Sequence, residues 1–514
     1  MKTVYHPLTT VLLGALCACV DGAEPEHTAA YGVRWKLVVD EVADYLAPCE
    51  RLGLARGLDA HDFDDVFPYR AMKRCNVLER EGASALVTYE GESGFSLDGR
   101  NGNVFVEIPK HYVRRYRADG YEYRYVSAGQ LPGFVVDPAF VEDGRELDRI
   151  YVSAYEACIR DGKMWSISDV YPTTDCTRPQ YRAYARANGI GYGILDLRTL
   201  NMLQNLFLVE YAERDSQGAL GRGWGKIHQP AKGMLRCTLA ETGVNRIVVS
   251  DWRATLIQRF FIGSAIQMVD YETHRVLVTG RTIVRVDLDT PGPGRTAVYF
   301  DGAPLDTTTG MVLGGAAQKT GWANALTVPS GHTANNGGGR DASYRNAVRY
   351  RHIENLWGNV WHFIDGLNLR DGVSYACSSM RNYESGVTTG SYVQVARKQA
   401  IQTDNGTVGG DRERHYMKNL VFDPRLPGLA LPEDYVNQGE ASVPHAQTSS
   451  RLGSDTLRHH NFGDYYYLSR KATCYVHGGG FDHYWRCGLF TMRGWATDTA
   501  RWYLYGARMI HKPL

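Results

Sequence analysis

The chain has 514 residues with a formal net charge of +1, 57 basic against 56 acidic side chains, 55 glycines and 33 tyrosines. That length exceeds one compact core and fits about two to four domains. The charge balance leaves no electrostatic footprint for a nucleic-acid partner, and the apolar and aromatic content argues against disorder.

Residues 1–30 read as an arm or signal segment. Leu8–Val20 is free of charge and has the length of a signal-peptide apolar region, too short to span a bilayer. Leu16-Cys17-Ala18-Cys19 resembles a bacterial lipobox in which Cys19 would carry lipid, and membrane attachment is expected only in that case. A short amphipathic helix or a mature arm accounts for the same run.

Residues 31–103 read as a β-rich region. After YGVRW, the stretch VVDEVADYL predicts a helix over 38–46, and DAHDFDDVF (59–67) lacks the ligand spacing and glycine of an EF-hand, so it reads as a solvated acidic loop. From Asn101 to Val126, β-prone runs break at Asp119-Gly120, a hairpin signal. Thr177-Arg178-Pro179 caps a helix that ends near Gly189. Asp196 or Thr199 then caps a second helix carrying Leu200, Leu203, Phe207 and Tyr211 on one stripe.

Between Cys237 and Ser330 the texture changes to β-branched runs separated by Asp, Gly, Pro and Thr, which predicts a small all-β, sandwich-like insertion. Residues 331–343 form a glycine-rich return loop, and no Lys-Ser/Thr follows to make it a phosphate cradle. In ENLWGNVW, Trp357 and Trp361 offer large buried area around Gly358, while Asn355 and Asn359 can bond the loops they support. The ten cysteines show no CxxC pair, which speaks against zinc; Cys158 with Cys176 and Cys474 with Cys487 are the pairs near enough in sequence to test as disulfides.

The segment 478–514 carries eight aromatic residues interleaved with Asp482, His483, Arg486, Arg493, Asp498 and Arg501. Tyr, Trp and Arg together suit a recognition surface. This predicts that Phe481, Phe490 and Trp502 lie in the core while the other rings face outward.

Several blocks carry a resemblance. VFVEIPKHY (104–112), LPGFVVDPAF and RIYVSAYE are similar to a phage and prophage family with an IPKFY block followed by PAF and iYiGaYE elements. ENLWGNVW resembles the GNVWEW signature of formylglycine-generating-enzyme-like proteins, with His362-Phe363 in place of Glu-Trp, and the closing GGGF and YGARMI resemble that group's final segments. The segment from Gly478 onward resembles the variable region of proteins diversified by retroelements. The resemblance implies an α+β, C-type-lectin-like fold of the formylglycine-generating-enzyme type, with halves at 104–236 and 331–514 and the insertion at 237–330. Its fixed frame would be Gly478, Gly479, Phe481, Gly488, Phe490, Trp502, Gly506 and Arg508. Asp482, His483, Arg486, Arg493, Arg501, Tyr503 and Leu504 stand where template Asn codons would mutate, with Tyr484, Thr491, Asp498 and Tyr505 beside them. Trp495 cannot arise from such a codon and is either fixed or from another template position.

The implied function is non-catalytic binding of a protein or glycan receptor on a cell surface, without cofactor. The expected location is a phage tail tip, with a bacterial surface lipoprotein as the alternative, and self-association is left open. An oxidase of the formylglycine-generating type would need two cysteines a few residues apart, whereas twelve residues separate Cys474 and Cys487. A Ca²⁺-dependent lectin would need EPN, QPD or WND motifs, which are absent; a structural Ca²⁺ is left open, with no motif to support it. A purely structural virion protein is the remaining alternative.

Overall fold

Strand alternation explains the centre of the molecule. In the computed structural model the described residues are 27–37, 47–80, 83–225, 235–250, 262–273, 275–333, 346–395, 401, 415–417, 419–423, 426, 429–432, 435–437, 462, 464–483 and 486–514. The main sheet is antiparallel and six-stranded, in the order Tyr192–Ile194, Met509–His511, Arg149–Ser153, Asn103–Pro109, Lys73–Arg80, Ala83–Tyr89. Because side chains point alternately to opposite faces, this sheet is a wall between two cores. Val104, Val106, Ile108, Ile150, Val152 and Ile510 enter one core; Phe105, Tyr151 and Met509 enter the other. A sheet buried on both faces reads as continuous apolar runs, as VFVEI and RIYV do.

Three α-helices occur among the described residues: α1 (Arg178–Arg186), α2 (Leu197–Tyr211) and α3 (Ser216–Leu220). A capping box starts α1: Gln180 N–H donates to Thr177 Oγ1 at 3.3 Å and Thr177 N–H donates to Gln180 Oε1 at 2.9 Å. Asp196 caps α2 by accepting from Thr199 N–H at 2.7 Å. The apolar stripe of α2 does not mark its buried face, because every residue from Leu197 to Glu210 is buried. Two of its polar residues are bonded to neighbouring segments, Gln204 Nε2 donating to Leu489 O at 2.9 Å and Asn201 Oδ1 accepting from Ala430 N–H at 2.8 Å, while the buried amide of Asn205 has no hydrogen-bond partner.

A second antiparallel sheet joins Glu50–Gly53, Tyr31–Lys36, Tyr121–Ser127, Tyr112–Ala118 and Val135–Val136. Asp119 and Gly120 both take positive φ, 50° and 75°, which twists the two-residue hairpin to match its strands. The acidic run after Leu58 is partly structural. Asp62–Asp65 forms a short 3-10 turn over buried Phe63, and Asp64 accepts from Arg351 Nη1 at 2.7 Å.

The β-rich stretch after Cys237 closes on itself. Its antiparallel sheet runs Cys237–Leu239, Arg246–Ser250, Arg295–Phe300, Val276–Leu288, Ala265–Asp270, Met311–Gly315, and Arg236 pairs with Val312 to join the two ends. Leu313 N–H donates to Leu235 O at 2.9 Å across that seam. The result is a small barrel rather than the expected sandwich. Alternate residues Leu235, Cys237, Ile247, Val249, Ile266, Met268, Val298 and Phe300 fill it as a separate core.

The α+β, C-type-lectin-like architecture of the formylglycine-generating-enzyme type is not what the chain adopts. Strands in many small sheets dominate, against helices of 9, 15 and 5 residues. The two capped helices are legible in the sequence, whereas the 2–5-residue strands that outnumber them are set by pairing with distant segments. The expected helix over 38–46, residues 334–343 of the glycine-rich loop, and Cys17 and Cys19 lie outside the described residues.

Candidate ligand-binding site

Five short strands position the segment 478–514: Tyr466–Leu468, Met492–Gly494, Val476–His477, Trp361–Phe363 and Tyr505–Gly506, in that order. Two of the pairings are parallel, Trp361–Phe363 with Tyr505–Gly506 and Tyr466–Leu468 with Met492–Gly494. Alternation along Met492–Gly494 sends Met492 into the first core and turns Arg493 the other way, over the ring of Trp361.

The residues expected to form a scaffold are buried, apart from half-buried Trp502. Trp357 Nε1 donates to Gly221 O at 2.9 Å, and Asn359 Oδ1 accepts from Gln318 N–H at 2.7 Å. Asn355, Gly358 and Asn359 all take positive φ, and the carbonyl of Asn359 accepts from Phe481 N–H at 2.8 Å. Arg508 holds three backbone carbonyls, those of Ser153, Glu354 and Asn355. Two glycines are dictated by space. A Cβ on Gly479 (φ 86°) would meet Cys487 at 2.7 Å, and one on Gly488 would lie 1.6 Å from the Asp464 carboxylate. Gly478 (φ 91°) passes the backbone of Leu356, Phe481 and Phe490 are core, and Gly506 packs on Val360.

The positions expected to face outward are mostly recessed. Thr491, Leu504, Tyr503 and Tyr505 are buried because pairing of Met492–Gly494 and Tyr505–Gly506 draws them into the sheet and its second core. Burial also pushes the Tyr505 hydroxyl up to about 12. Asp498 accepts from the buried Arg178 at 2.9 and 2.6 Å, so its carboxylate anchors α1. Arg486 is half-buried over the ring of Tyr465, and Trp495 is half-buried against Tyr467. Arg501 is exposed and donates to Asp175 O at 2.9 Å. Tyr484 lies outside the described residues.

One cluster stands out among these positions. The Arg493 guanidinium lies 5.7 Å from the Trp361 ring centroid and 5.1 Å from that of Trp495, in a residue only 5% exposed. Its Nε and Nη1 are buried without a hydrogen-bond partner. Trp361 Nε1 donates to His483 Nδ1 at 3.2 Å, and the same nitrogen lies against a carboxylate oxygen of Asp482, whose side chain is 2% exposed; with Nδ1 accepting from Trp361, it has no proton to give that carboxylate. Burial lowers the His483 pKa, so at neutral pH the ring is uncharged and cannot neutralise Asp482. The Tyr503 hydroxyl is a third buried polar group here without a partner. Sequence reasoning picked out each of these residues singly but missed that Trp361, assigned to the scaffold, joins them.

All eight cysteines in the described residues are free thiols, including Cys158, Cys176, Cys474 and Cys487. Burial raises the Cys474 thiol to about 12 and raises Cys487 as well, so neither offers a thiolate at neutral pH. No group of three or more His, Cys, Asp or Glu side chains is placed to hold a metal ion among the described residues, and no helix among them is long and apolar enough to cross a membrane. Compared with known protein families and with curated proteins, the chain matches none.

Proposed function

We propose that this is a non-catalytic receptor-binding protein that recognises its partner through the segment 478–514, diversified by a retroelement. The observation that supports binding is the cluster at Arg493. Arg493 Nε and Nη1, both Asp482 carboxylate oxygens and the Tyr503 hydroxyl are buried without a hydrogen-bond partner, and polar atoms left so carry a desolvation cost. A ligand that supplies the missing bonds gives that arrangement a purpose. Two buried, un-ionised thiols further favour binding over oxidase chemistry.

The burial pattern restricts which positions diversify. Substitution at Tyr503, Leu504 or Tyr505 would disturb a packed core, and substitution at Asp498 would strand Arg178. Diversity is therefore expected at Asp482, Arg486, Arg493 and Arg501. Sequencing the locus tests this: the expected finding is a near-copy of the 3′ coding segment differing mainly at adenines, beside a reverse-transcriptase gene. An intact locus without such a copy, and without variation among sibling strains, overturns the diversification. On this reading the protein sits at a phage tail tip, and finding lipid on Cys19 by mass spectrometry would place it instead on a bacterial surface.

A further inference from the structure

We infer that the ligand group recognised at Arg493 is an acidic sugar residue. This rests on the reading that the segment 478–514 carries the recognition site. Arg493 and Asp482 have opposite charges and both lie against the Trp361–His483 pair, yet they form no ion pair with each other. A single anion would satisfy Arg493 and repel Asp482; a single cation would do the reverse. The arrangement instead suits one molecule that offers a carboxylate to the guanidinium and, from another side, hydroxyl donors to the carboxylate of Asp482. Tyr503 Oη, also unpartnered, can donate to or accept from such a hydroxyl. The partly buried ring of Trp495 beside Arg493 supplies a flat apolar wall for the C–H face of a pyranose. A polyol carrying a carboxylate meets all three demands, whereas a peptide carboxylate brings a single backbone donor and no such face.

The probes are methyl β-D-glucuronide, the neutral methyl β-D-glucoside and an N-acetylated dipeptide with a free C-terminal carboxylate, each titrated calorimetrically into the full chain. The glucuronide is expected to bind about tenfold or more tightly than the glucoside, the size of one lost charge-assisted bond. Arg493→Gln should abolish that preference, and Asp482→Asn should weaken the glucuronide without equalising the two sugars. Asp482→Asn should not lower the Tm, because it removes a buried charge that has no hydrogen-bond partner; a group serving only the structure would lower it. Arg100→Gln, at a remote exposed position, should change nothing. Equal binding of both sugars, no binding of any probe, or preference for the dipeptide each overturns the acidic-sugar assignment. Dipeptide binding that Arg493→Gln removes would do so while leaving the segment as the recognition site; loss of the diversification reading would show only at the locus.

Discussion

A carboxyl group removed from water holds its proton, and Glu156 and Glu354 lie at the back of the Asn355–Trp361 loop in that condition. Burial, the largest influence on each, raises both to about 7. Glu156 accepts from Asn359 Nδ2 with one oxygen, while its other oxygen lies 3.5 Å from His362, which burial holds neutral. Since the folded pKa exceeds the unfolded one, the folded state binds the extra proton between about pH 4.5 and pH 7. Stability from Glu156 is therefore complete below about pH 4.5 and is lost as pH rises towards 7. The stability of the native chain relative to Glu156→Gln should thus fall over that interval, by on the order of 1.4 kcal/mol per pH unit, as read by urea denaturation at several pH values. Depressed histidines run the other way. His477, at about 3, contributes stability above pH 6.5 that is lost as pH falls through about 3, so His477→Gln should flatten the acid limb of the same curve. None of this was legible in the sequence, where the ENLWGNVW asparagines and tryptophans signalled a scaffold but nothing located Glu156 beside it.

Among the elements, the two longer helices show how far local signals reach. Removing one hydroxyl with Thr177→Ala should cost about 1 kcal/mol in thermal or urea unfolding, the usual value of an N-cap. The cap of α2 carries a second duty. Asp196 also accepts from Lys512 Nζ at 2.7 Å and from Tyr383 Oη at 3.0 Å, and Lys512 reaches Glu142 at 3.4 Å, all fully buried. Lys512→Met would take the ammonium from buried Asp196, leaving Glu142 with Arg198 alone, and should destabilise the fold by about 3–5 kcal/mol, measured by chemical denaturation. Capping residues and the hairpin at Asp119-Gly120 could be read directly because their physics is local. The partners of Asp196 lie 187 and 316 residues away, and no local pattern announces them. The same limit hid the site: Arg493 and Trp495 are neighbours in sequence, but Trp361 and the recessed position of Tyr503 come only with strand pairing.

At the scale of the whole molecule, β-branched runs after Cys237 announced an all-β unit, yet its closure into a barrel depends on one seam between Arg236 and Val312. Because that barrel has its own core, Ile247→Ala should cost about 2–5 kcal/mol in the barrel and move its calorimetric transition. Binding at Arg493 should persist in that variant. Family resemblance misled about architecture because the matching blocks are short strands such as VFVEI and RIYV, turns and glycines, which many sheet arrangements can accommodate.

The strand Met509–His511 lies inside the main sheet, between Arg149–Ser153 and Tyr192–Ile194. Ribosomes must translate all of the segment 478–505 in frame before that gap can be filled. A stop codon or frameshift introduced there would release a polypeptide with an open sheet edge and no Lys512, a substrate for cellular proteases. The placement of one strand thus acts as a proofreader, letting only uninterrupted versions of the segment 478–505 persist as folded protein.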